Sequence, residues 1–519
     1  MATKADMAPP TELPLEAFKL LPNNTDKNWI KDKGLRKLNL GILFMFSTAS
    51  SSGYIASLVN SLLVLPQFAM IMGGLNPNIV GLIIAGTSLG AFLAFVPASY
   101  IADRYGRKIC VGIGCCLIIV ATIIQTILKS HWAFFGMRVL SGMGMGISQT
   151  AAPLLITEAA HPRQRQTATA FYNVTWCLGA IGAAAVTYAT IALENSWSWR
   201  IPCLLQVAYP ISQLFGLVFF MPESPRWLIS KGRKDEALVI LAKYHANGKM
   251  NDELVQHEFC QICDTINAEA AQWRSWKSFF SSKGDVHRLT ICVLVGLMQE
   301  WAGNGTLPEA LKDHMLIYPG ILSYYLAPIL ASVGITKSAD QAAVNVSLQA
   351  WNFLLSAVGA LASERYGRRI LWLLSTAGML LFLSLATLLA GLSTEQHLTA
   401  AGIAVVPLLF IFFGCYDMAY APLFISYPAE ILPFQLRAKG LAVTLSVDAA
   451  ACFFNQYVNP VAFTALQWKY YSVYIGCLVV FLGLVYFLFP ETKGRSLEEV
   501  AMIFDESEEE TPDREKPAM

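Results

Sequence analysis

Three carboxyl side chains interrupt long apolar runs of the sequence: Glu300, Asp417 and Asp448. An ionisable group near the middle of a membrane costs about 2.5 to 3.5 kcal/mol on insertion scales, so such a group usually has a function. A carboxyl group there can bind and release a proton, or it can stay neutral and donate a hydrogen bond to a bound solute. Both interpretations stay open for Glu300, and Asp417 and Asp448 are further candidates for proton binding.

Amide and aromatic side chains also lie inside the apolar runs. Buried amides are expensive in lipid unless they face one another or a cavity, and they both donate and accept hydrogen bonds. Each amide therefore either binds a polar solute beside an aromatic face or forms a hydrogen bond between helices. The candidates for solute binding are Gln149, Asn173, Trp176, Gln299, Glu300, Asn304, Tyr324, Tyr325, Asn455 and Asn459.

Composition indicates which elements must position these side chains. Of the 519 residues, 55% are hydrophobic and 14% are charged, so a water-soluble chain of this length could not cover its surface with polar groups. The apolar runs are long enough to cross a ~30 Å hydrocarbon core as helices. The predicted spans are 39–63, 79–101, 109–128, 132–156, 168–193, 201–221, 288–332 (interrupted), 342–363, 370–391, 400–427, 440–464 and 470–489.

A short, cationic loop that contains a glycine occurs twice. Its sequence is DRYGRK at residues 103–108 and ERYGRR at residues 364–369, each time between two apolar runs. The repeat implies a duplicated chain in which both copies of the loop face the same compartment. The predicted fold class is therefore an all-α polytopic membrane protein, with twelve transmembrane helices in two pseudo-symmetric six-helix halves.

The distribution of charged residues predicts the domain boundaries of the chain and its orientation in the membrane. Most Lys and Arg residues of the short loops follow even-numbered spans, which predicts that both termini face the cytosol. We predict a cytosolic N-terminal tail (1–38), a six-helix bundle (39–221), a cytosolic linker of amphipathic helices (222–287), a second six-helix bundle (288–489, with an atypical insertion at 306–320) and an acidic cytosolic tail (490–519).

Acidic and basic residues recur at the cytosolic helix ends of both halves. They can pair across the pseudo-symmetry axis when the inner side is shut, and they must separate when it opens. For any single arginine the alternative is a plain positive-inside signal. The predicted gate residues are Asp103, Arg104, Arg107, Glu158, Arg163, Glu223, Arg226, Glu364, Arg365, Arg368, Glu430, Arg437 and Glu491.

Two halves that each carry the same loop resemble the major facilitator superfamily, and a more specific set of motifs resembles its sugar porter family. The set includes PESPRWL after span six, YPAE after span ten and PETKG after span twelve. Within that family, AHP at 160–162, LAKYHANG at 241–248 and NPVAF at 459–463 are similar to the fungal lactose permease and cellodextrin transporter branch.

This resemblance implies a plasma-membrane importer of a β-linked disaccharide, or of a hexose, that works by alternating access with the sugar at mid-membrane. It also implies that Asn173 is the span-five amide of sugar porters and that residues 300–304 lie on the span-seven signature. The expected partners are the sugar, the lipid bilayer and, if transport is coupled, protons. We expect a monomer that binds no nucleic acid, metal or cofactor, and no nucleophile or phosphate-binding loop indicates an enzyme.

Three residues depart from the family pattern. Ile55 follows the Gly-Tyr pair of span one where proton-coupled sugar porters have an aspartate, so coupling by that route is excluded. Glu300 stands where a glutamine is expected, and we hypothesise that it has taken over proton binding. Ile425 replaces the tryptophan that precedes the span-ten acidic motif, so Trp176 becomes the first choice for stacking on a sugar ring.

The insertion at residues 306–320 carries prolines and charges inside span seven and cannot be lipid-exposed helix. It is either a lid in the outer vestibule or an in-frame intron that remained in the coding sequence, and we favour the intron. Two functional alternatives also stay open. One is a facilitative monosaccharide uniporter with a neutral Glu300, and the other is a sugar sensor that transports weakly or not at all.

Overall fold

The computed structural model describes residues 24–26, 28–63, 65, 67–68, 77–128, 130–271, 276–303, 338–396, 399–432, 434–466, 470–493 and 504. The regular elements within these ranges are helices, and eleven of them are long and apolar enough to cross a membrane. The predicted all-α fold class is confirmed. The eleven helices correspond to every predicted span except the seventh, of which the structure describes only residues 288–303.

The helices keep the order of the predicted spans. Spans one and six are each built from two helices that follow one another closely, and spans two, four and ten contain prolines that the helices accommodate. The bounds are Lys33–Met45 with Ser47–Leu63, Pro77–Tyr105, Arg107–Ile127, His131–Ala159, Arg165–Thr190, Trp197–Leu205 with Ala208–Phe219, Lys283–Trp301, Ser338–Tyr366, Arg368–Gln396, Thr399–Ile431, Phe434–Leu466 and Tyr471–Leu488.

Helix pairing repeats between the two halves. Span two packs on span four, span three on span four and span one on span five, and the same contacts recur six spans later as eight on ten, nine on ten and seven on eleven. Between the halves, span two packs along span eleven and span five packs along span eight. The molecule therefore has two seams at which one half can move against the other.

Three linker helices follow span six: Pro225–Ser230, Lys234–His245 and Glu253–Ala271. The first begins with a Ser224 cap and Pro225 at its first position, a combination that favours a helix start. The second carries acidic residues in its first turn and basic residues in its last, which complements its dipole. We call the end of the bundle that contacts these helices the linker end.

A buried ionic cluster fastens the linker to the first half. The Glu258 carboxylate lies 2.7 Å from His245 Nδ1 and 3.0 Å from Arg165 Nη2, at the start of span five. The other ring nitrogen of His245 lies 3.2 Å from the carbonyl oxygen of Ala159, the last residue of span four. Burial alone would raise the pKa of Glu258, but His245, Arg165 and His161 together lower it to about 2.

The same linker helices hold the segment before span one. Asn247 adopts a positive φ of 52°, which brings its side chain against Asp32. The amide nitrogen of Asn247 donates to Asp32 Oδ2 at 2.6 Å, and its oxygen accepts from the backbone N–H of Gly34. Because Asp32 also caps the first helix through the N–H of Leu35, span one begins against the linker.

We predict that Glu258→Gln loosens the linker at neutral pH. A lowered pKa means that the ionised carboxylate stabilises the fold above pH 4 to 5, and that this contribution is lost as the pH falls towards 2. Removing one partner of a buried ion pair costs about 3 to 5 kcal/mol. Hydrogen exchange should accelerate in Lys234–His245 and Glu253–Ala271.

The matched control is Glu236→Gln, because Glu236 forms an exposed ion pair with Arg233 in the same linker. Its exchange rates should match those of the unmodified protein. Equal rates in the Glu258→Gln variant would contradict the fastening role of the cluster.

Candidate functional site

The repeated loop of the first half turns at Gly106, whose φ of 103° favours glycine. Span three begins at the next residue, and Glu223 accepts hydrogen bonds from the backbone N–H groups of Arg107 (3.2 Å) and Lys108 (3.3 Å). The carboxylate thus satisfies N–H groups that lack a partner inside the helix, and it complements the helix dipole. Burial raises the pKa of Glu223, although these N–H groups act in the opposite direction.

The side chain of Arg107 holds the ends of three helices together. Its Nε lies 3.2 Å from Glu158 Oε2 at the end of span four, and its Nη1 lies 3.3 Å from Asp103 at the end of span two. The hydroxyl of Ser224, the cap of the first linker helix, donates to the same Glu158 carboxylate. Glu158 therefore joins span four to both the repeated loop and the linker.

The second half repeats the contacts of the glycine turn, of the arginine with the span-end glutamate and of the capping hydroxyl. Gly367 has a φ of 101°, and Glu491 accepts a hydrogen bond from the backbone N–H of Arg368 at 2.9 Å. The Arg368 side chain lies 3.0 Å from Glu430 at the end of span ten. Thr492 occupies the place of Ser224, and its hydroxyl donates to Glu430 at 2.7 Å.

These contacts differ from the pairing that the sequence predicts for a shut inner side. The charges were expected to pair across the two halves, but the ion pairs of Arg107 and Arg368 described here lie within one half each. The reason is that the motifs after spans four and six, and after spans ten and twelve, supply a carboxylate for each arginine in its own half. Pairing across the halves stays a prediction for a conformation that is more tightly shut at this end.

The other predicted gate residues lie at the same end. Arg104 donates to the hydroxyl of Tyr100 at 2.9 Å and lies over the ring of Tyr105, and Arg365 lies over Tyr366. Arg163 lies in the turn between spans four and five, and Arg226 lies in the first linker helix. The side chains of Glu364 and Arg437 lie outside the described part of the chain, as do the whole residues Asn304, Tyr324 and Tyr325 and the insertion at 306–320.

Two of the predicted binding amides form hydrogen bonds between helices. Asn459 Oδ1 accepts from the hydroxyls of Tyr470 and Tyr474, each at 2.9 Å. Asn455 Oδ1 lies 3.2 Å from the Tyr474 hydroxyl, and its amide nitrogen donates to the backbone oxygen of Glu300 at 2.8 Å. The structure therefore favours the interhelical interpretation for Asn455 and Asn459.

Glu300 and Asp448 form an acid pair, on spans seven and eleven. Their carboxyl groups are close enough to repel each other when both are ionised. The thiol of Cys452 interacts with Glu300, and it accepts a hydrogen bond from Ser88 of span two at 3.2 Å. The acid pair thus lies at the seam between the two halves, where span two meets span eleven.

Two acceptor atoms, one on span seven and one on span eleven, have no hydrogen-bond donor among the described residues. They are Oε1 of Gln299 and Oδ1 of Asp448, and both are buried. A buried acceptor without a donor is costly, so atoms of this kind are expected where a solute or water supplies the missing hydrogen. Among the predicted binding amides whose side chains are described, Gln299 is the one with a buried acceptor that lacks a donor, and its role in sugar binding stays a prediction.

Asp417 lies apart, at the other seam. Its carboxylate is buried and faces Cys177 of span five. The amide of Asn352 in span eight, oriented to satisfy its neighbours, donates to Asp417 Oδ2 at 3.1 Å. One helical turn further along span ten, the carbonyl of Ala421 accepts a 2.5 Å hydrogen bond from Asn173. Asn173 therefore contacts the opposite half directly.

A cavity lies between the two halves near the linker end, and both Gln149 and Ile425 line it. The polar side chains of its wall come from the first half, as Ser99, Asp103, Gln149 and Thr150, whereas Ile425, Leu441, Ala442 and Leu445 of the second half are apolar. The cavity measures about 20 Å³, enough for about one water molecule. A sugar could occupy it only after the halves move apart. Trp176 is partly buried against the apolar core of the first half.

Three residues at helix contacts were not among the candidates predicted from the sequence. Arg138 is buried inside span four, and its Nη1 donates to the carbonyl oxygen of Ile55 at 2.9 Å. Arg138 could have been singled out from the sequence, because an arginine within an apolar run is as costly as a carboxylate. Ser88 and Cys452 gave no such signal, since short, weakly polar side chains are common in membrane helices.

A family model described as "Sugar (and other) transporter" matches residues 41–504. This chain belongs to that family. It is therefore a multi-pass membrane sugar transporter. It is 30% identical over 437 residues to "Hexose transporter 2" of Kluyveromyces lactis, an alignment that covers 82% of this chain and 74% of the relative. It is 28% identical over 435 residues to "Low-affinity glucose transporter HXT4" of Saccharomyces cerevisiae, which covers 82% and 72%.

Solved structures show the same fold. A structure of the proton:xylose symporter XylE, bound to 6-bromo-6-deoxy-D-glucose, superimposes on this sugar transporter with a TM-score of 0.73 and covers 90% of this chain and 99% of the other at 17% identity. A partially occluded inward-open structure of XylE from E. coli gives a TM-score of 0.71, with 89% and 100% covered at 17% identity. The family model and the yeast relatives confirm the predicted sugar porter family, whereas the lactose permease and cellodextrin branch stays a prediction.

Paired substitutions should separate a binding amide from a structural one. In Gln299→Ala, the sugar concentration for half-maximal uptake should rise about tenfold, because a hydrogen bond to a bound hydroxyl is lost. In Asn459→Ala, that concentration should stay unchanged and the melting temperature should fall, since the tyrosine hydroxyls lose an interhelical acceptor worth about 1 kcal/mol. The opposite pattern would reverse the two assignments.

Proposed function

We propose that this sugar transporter imports a hexose, or a disaccharide built from hexoses, by alternating access in symport with protons. The proposal rests above all on the acid pair of Glu300 and Asp448 at the seam between spans two and eleven. A pair of half-buried carboxyl groups inside the membrane spans is expensive unless it serves transport. The names of the fungal relatives support a hexose, and the motifs similar to the lactose permease branch support a disaccharide.

Orientation follows from charge. The linker end carries Arg104, Arg107, Arg365 and Arg368 beside the apolar spans, and an excess of Arg and Lys in short loops marks the cytosolic face. In the proposed orientation this end and both termini face the cytosol, in the plasma membrane. Import then ends with the release of the sugar past the cavity lined by Gln149 and Ile425.

Proton binding by the acid pair follows from electrostatics. Two carboxylates in a low-dielectric site repel strongly, and one bound proton removes that repulsion. The pair then behaves as one titrating unit, whose proton belongs to neither residue alone. In span one, the side chain of Ile55 cannot titrate. The backbone oxygen of Ile55 accepts a hydrogen bond from Arg138.

Sugar binding is proposed beside the same pair. Gln299 Oε1 and Asp448 Oδ1 are buried acceptors that sugar hydroxyls could satisfy. Their neighbour Tyr416, whose hydroxyl donates to the backbone oxygen of Gln299 at 3.0 Å, contributes an aromatic ring to this region. Sugar and proton would thus bind at adjacent places, so that each can change the affinity of the other.

The first experiment measures the uptake of labelled glucose, cellobiose and lactose by cells that lack other sugar porters, with and without an imposed pH gradient. It compares the full chain with a copy that lacks residues 306–320. Accumulation of a sugar against its gradient supports import by symport, and the sugar taken up decides between a hexose and a disaccharide. Uptake by the shortened copy alone would identify the insertion as a retained intron. No flux from either copy, with both in the membrane, would favour a sensor.

We predict that Glu300→Gln abolishes accumulation but retains exchange of labelled for unlabelled sugar. An amide keeps the shape and hydrogen-bonding capacity of the side chain but binds no proton. Asp417→Asn is the matched comparison, because Asp417 is a buried carboxyl of the same half that faces the other seam. It should leave pH-driven accumulation in place. Accumulation that survives Glu300→Gln contradicts the proposed proton site and leaves the uniport mechanism.

A further inference from the structure

A serine of the first half reaches the acid pair of the second half through one thiol. Ser88 Oγ lies 3.2 Å from Cys452 Sγ and 3.1 Å from Gln456 Oε1, both on span eleven. The Cys452 thiol also interacts with the carboxylate of Glu300. Ser88 is largely buried in span two, which packs along span eleven. These contacts form a continuous path from one half of the transporter to the acid pair.

Each side chain on this path has a limited number of hydrogens to donate. The contacts along the path therefore depend on whether Glu300 is ionised or protonated. A serine hydroxyl has one hydrogen, so Ser88 can donate either to Cys452 or to Gln456. When Glu300 is ionised, the thiol hydrogen of Cys452 donates to the carboxylate, and its sulfur is free to accept from Ser88. When Glu300 carries a proton, its hydroxyl can itself donate to the sulfur, which is a weak acceptor and then competes poorly for Ser88.

We infer that Cys452 is a positioning residue that links proton binding at Glu300 and Asp448 to the contact between spans two and eleven. This inference rests on the proposed proton site. The ionised pair strengthens the Ser88–Cys452 contact and holds the seam together, and the protonated pair weakens it. Among the described residues, the titratable groups that face Glu300 are Asp448 and Cys452 of span eleven and Tyr416 of span ten.

A packing role for Cys452 makes a different prediction. If the thiol only fills space, alanine should lower stability and leave the pH dependence of transport unchanged. If the thiol relays the state of Glu300, serine should substitute for cysteine, because a hydroxyl also donates and accepts. Removing the hydroxyl of Ser88 from the opposite half should then have the same effect as Cys452→Ala.

The test uses the full chain in cells and compares Cys452→Ala, Cys452→Ser, Ser88→Ala and Glu300→Gln. The control is Cys477→Ala, which removes a partly buried thiol of span twelve. Sugar accumulation is measured against external pH, and sugar exchange at equal concentrations reports folded transporter. We expect Cys452→Ala and Ser88→Ala to lower accumulation about fivefold, the loss equivalent to one hydrogen bond. Exchange should persist, and Cys452→Ser and Cys477→Ala should match the unmodified protein.

The outcomes separate this inference from the proposed function. If Glu300→Gln uncouples transport while Cys452→Ala and Ser88→Ala keep the normal pH profile, the relay is wrong and the proton site stands. If Glu300→Gln still accumulates sugar, the proton site is wrong and the relay falls with it. Where Cys452→Ala does not reach the membrane, Ser88→Ala decides from the other half, and a normal pH profile in that variant overturns the inference.

Discussion

The cost of a polar group without a partner in lipid is the constraint on which this structure depends. At the linker end, Glu223 and Glu491 accept hydrogen bonds from the first N–H groups of spans three and nine, and Arg107 and Arg368 bring a further carboxylate to each loop. Each half therefore completes its own network, so the halves can move as rigid bodies without leaving a buried charge unpaired.

The same constraint makes the membrane spans predictable from the sequence. It does not show which side chains contact each other. Lipid requires a minimum apolar length, so the predicted spans agree with the helices to within a few residues at most ends. Hydropathy does not show which polar groups contact each other across helices. Asn459 looked like a binding residue because an amide in lipid needs a partner, and the tyrosines that satisfy it come from the next span. Pairing of Arg107 within its own half was equally hidden.

The two seams differ in what crosses them. At the seam of spans five and eight, Asn173 donates to Ala421 of span ten, and Asp417 is satisfied by Asn352. At the seam of spans two and eleven, Ser88 reaches Cys452 and Gln456 beside the acid pair. Ser88 and Cys452 could not be singled out in advance, because their importance comes only from the neighbours that packing gives them. At the seam of spans two and eleven, a titratable site therefore lies beside a contact that must break when the two halves separate.

Sugar-dependent proton movement is the most direct test of this account. The purified transporter is reconstituted in liposomes that contain a pH-sensitive dye, and a sugar gradient is imposed without a pH gradient. Sugar influx should acidify the lumen, with a proton flux proportional to the sugar flux. Sugar influx at a constant internal pH would contradict it, because the acid pair would then carry no proton across the membrane with the sugar.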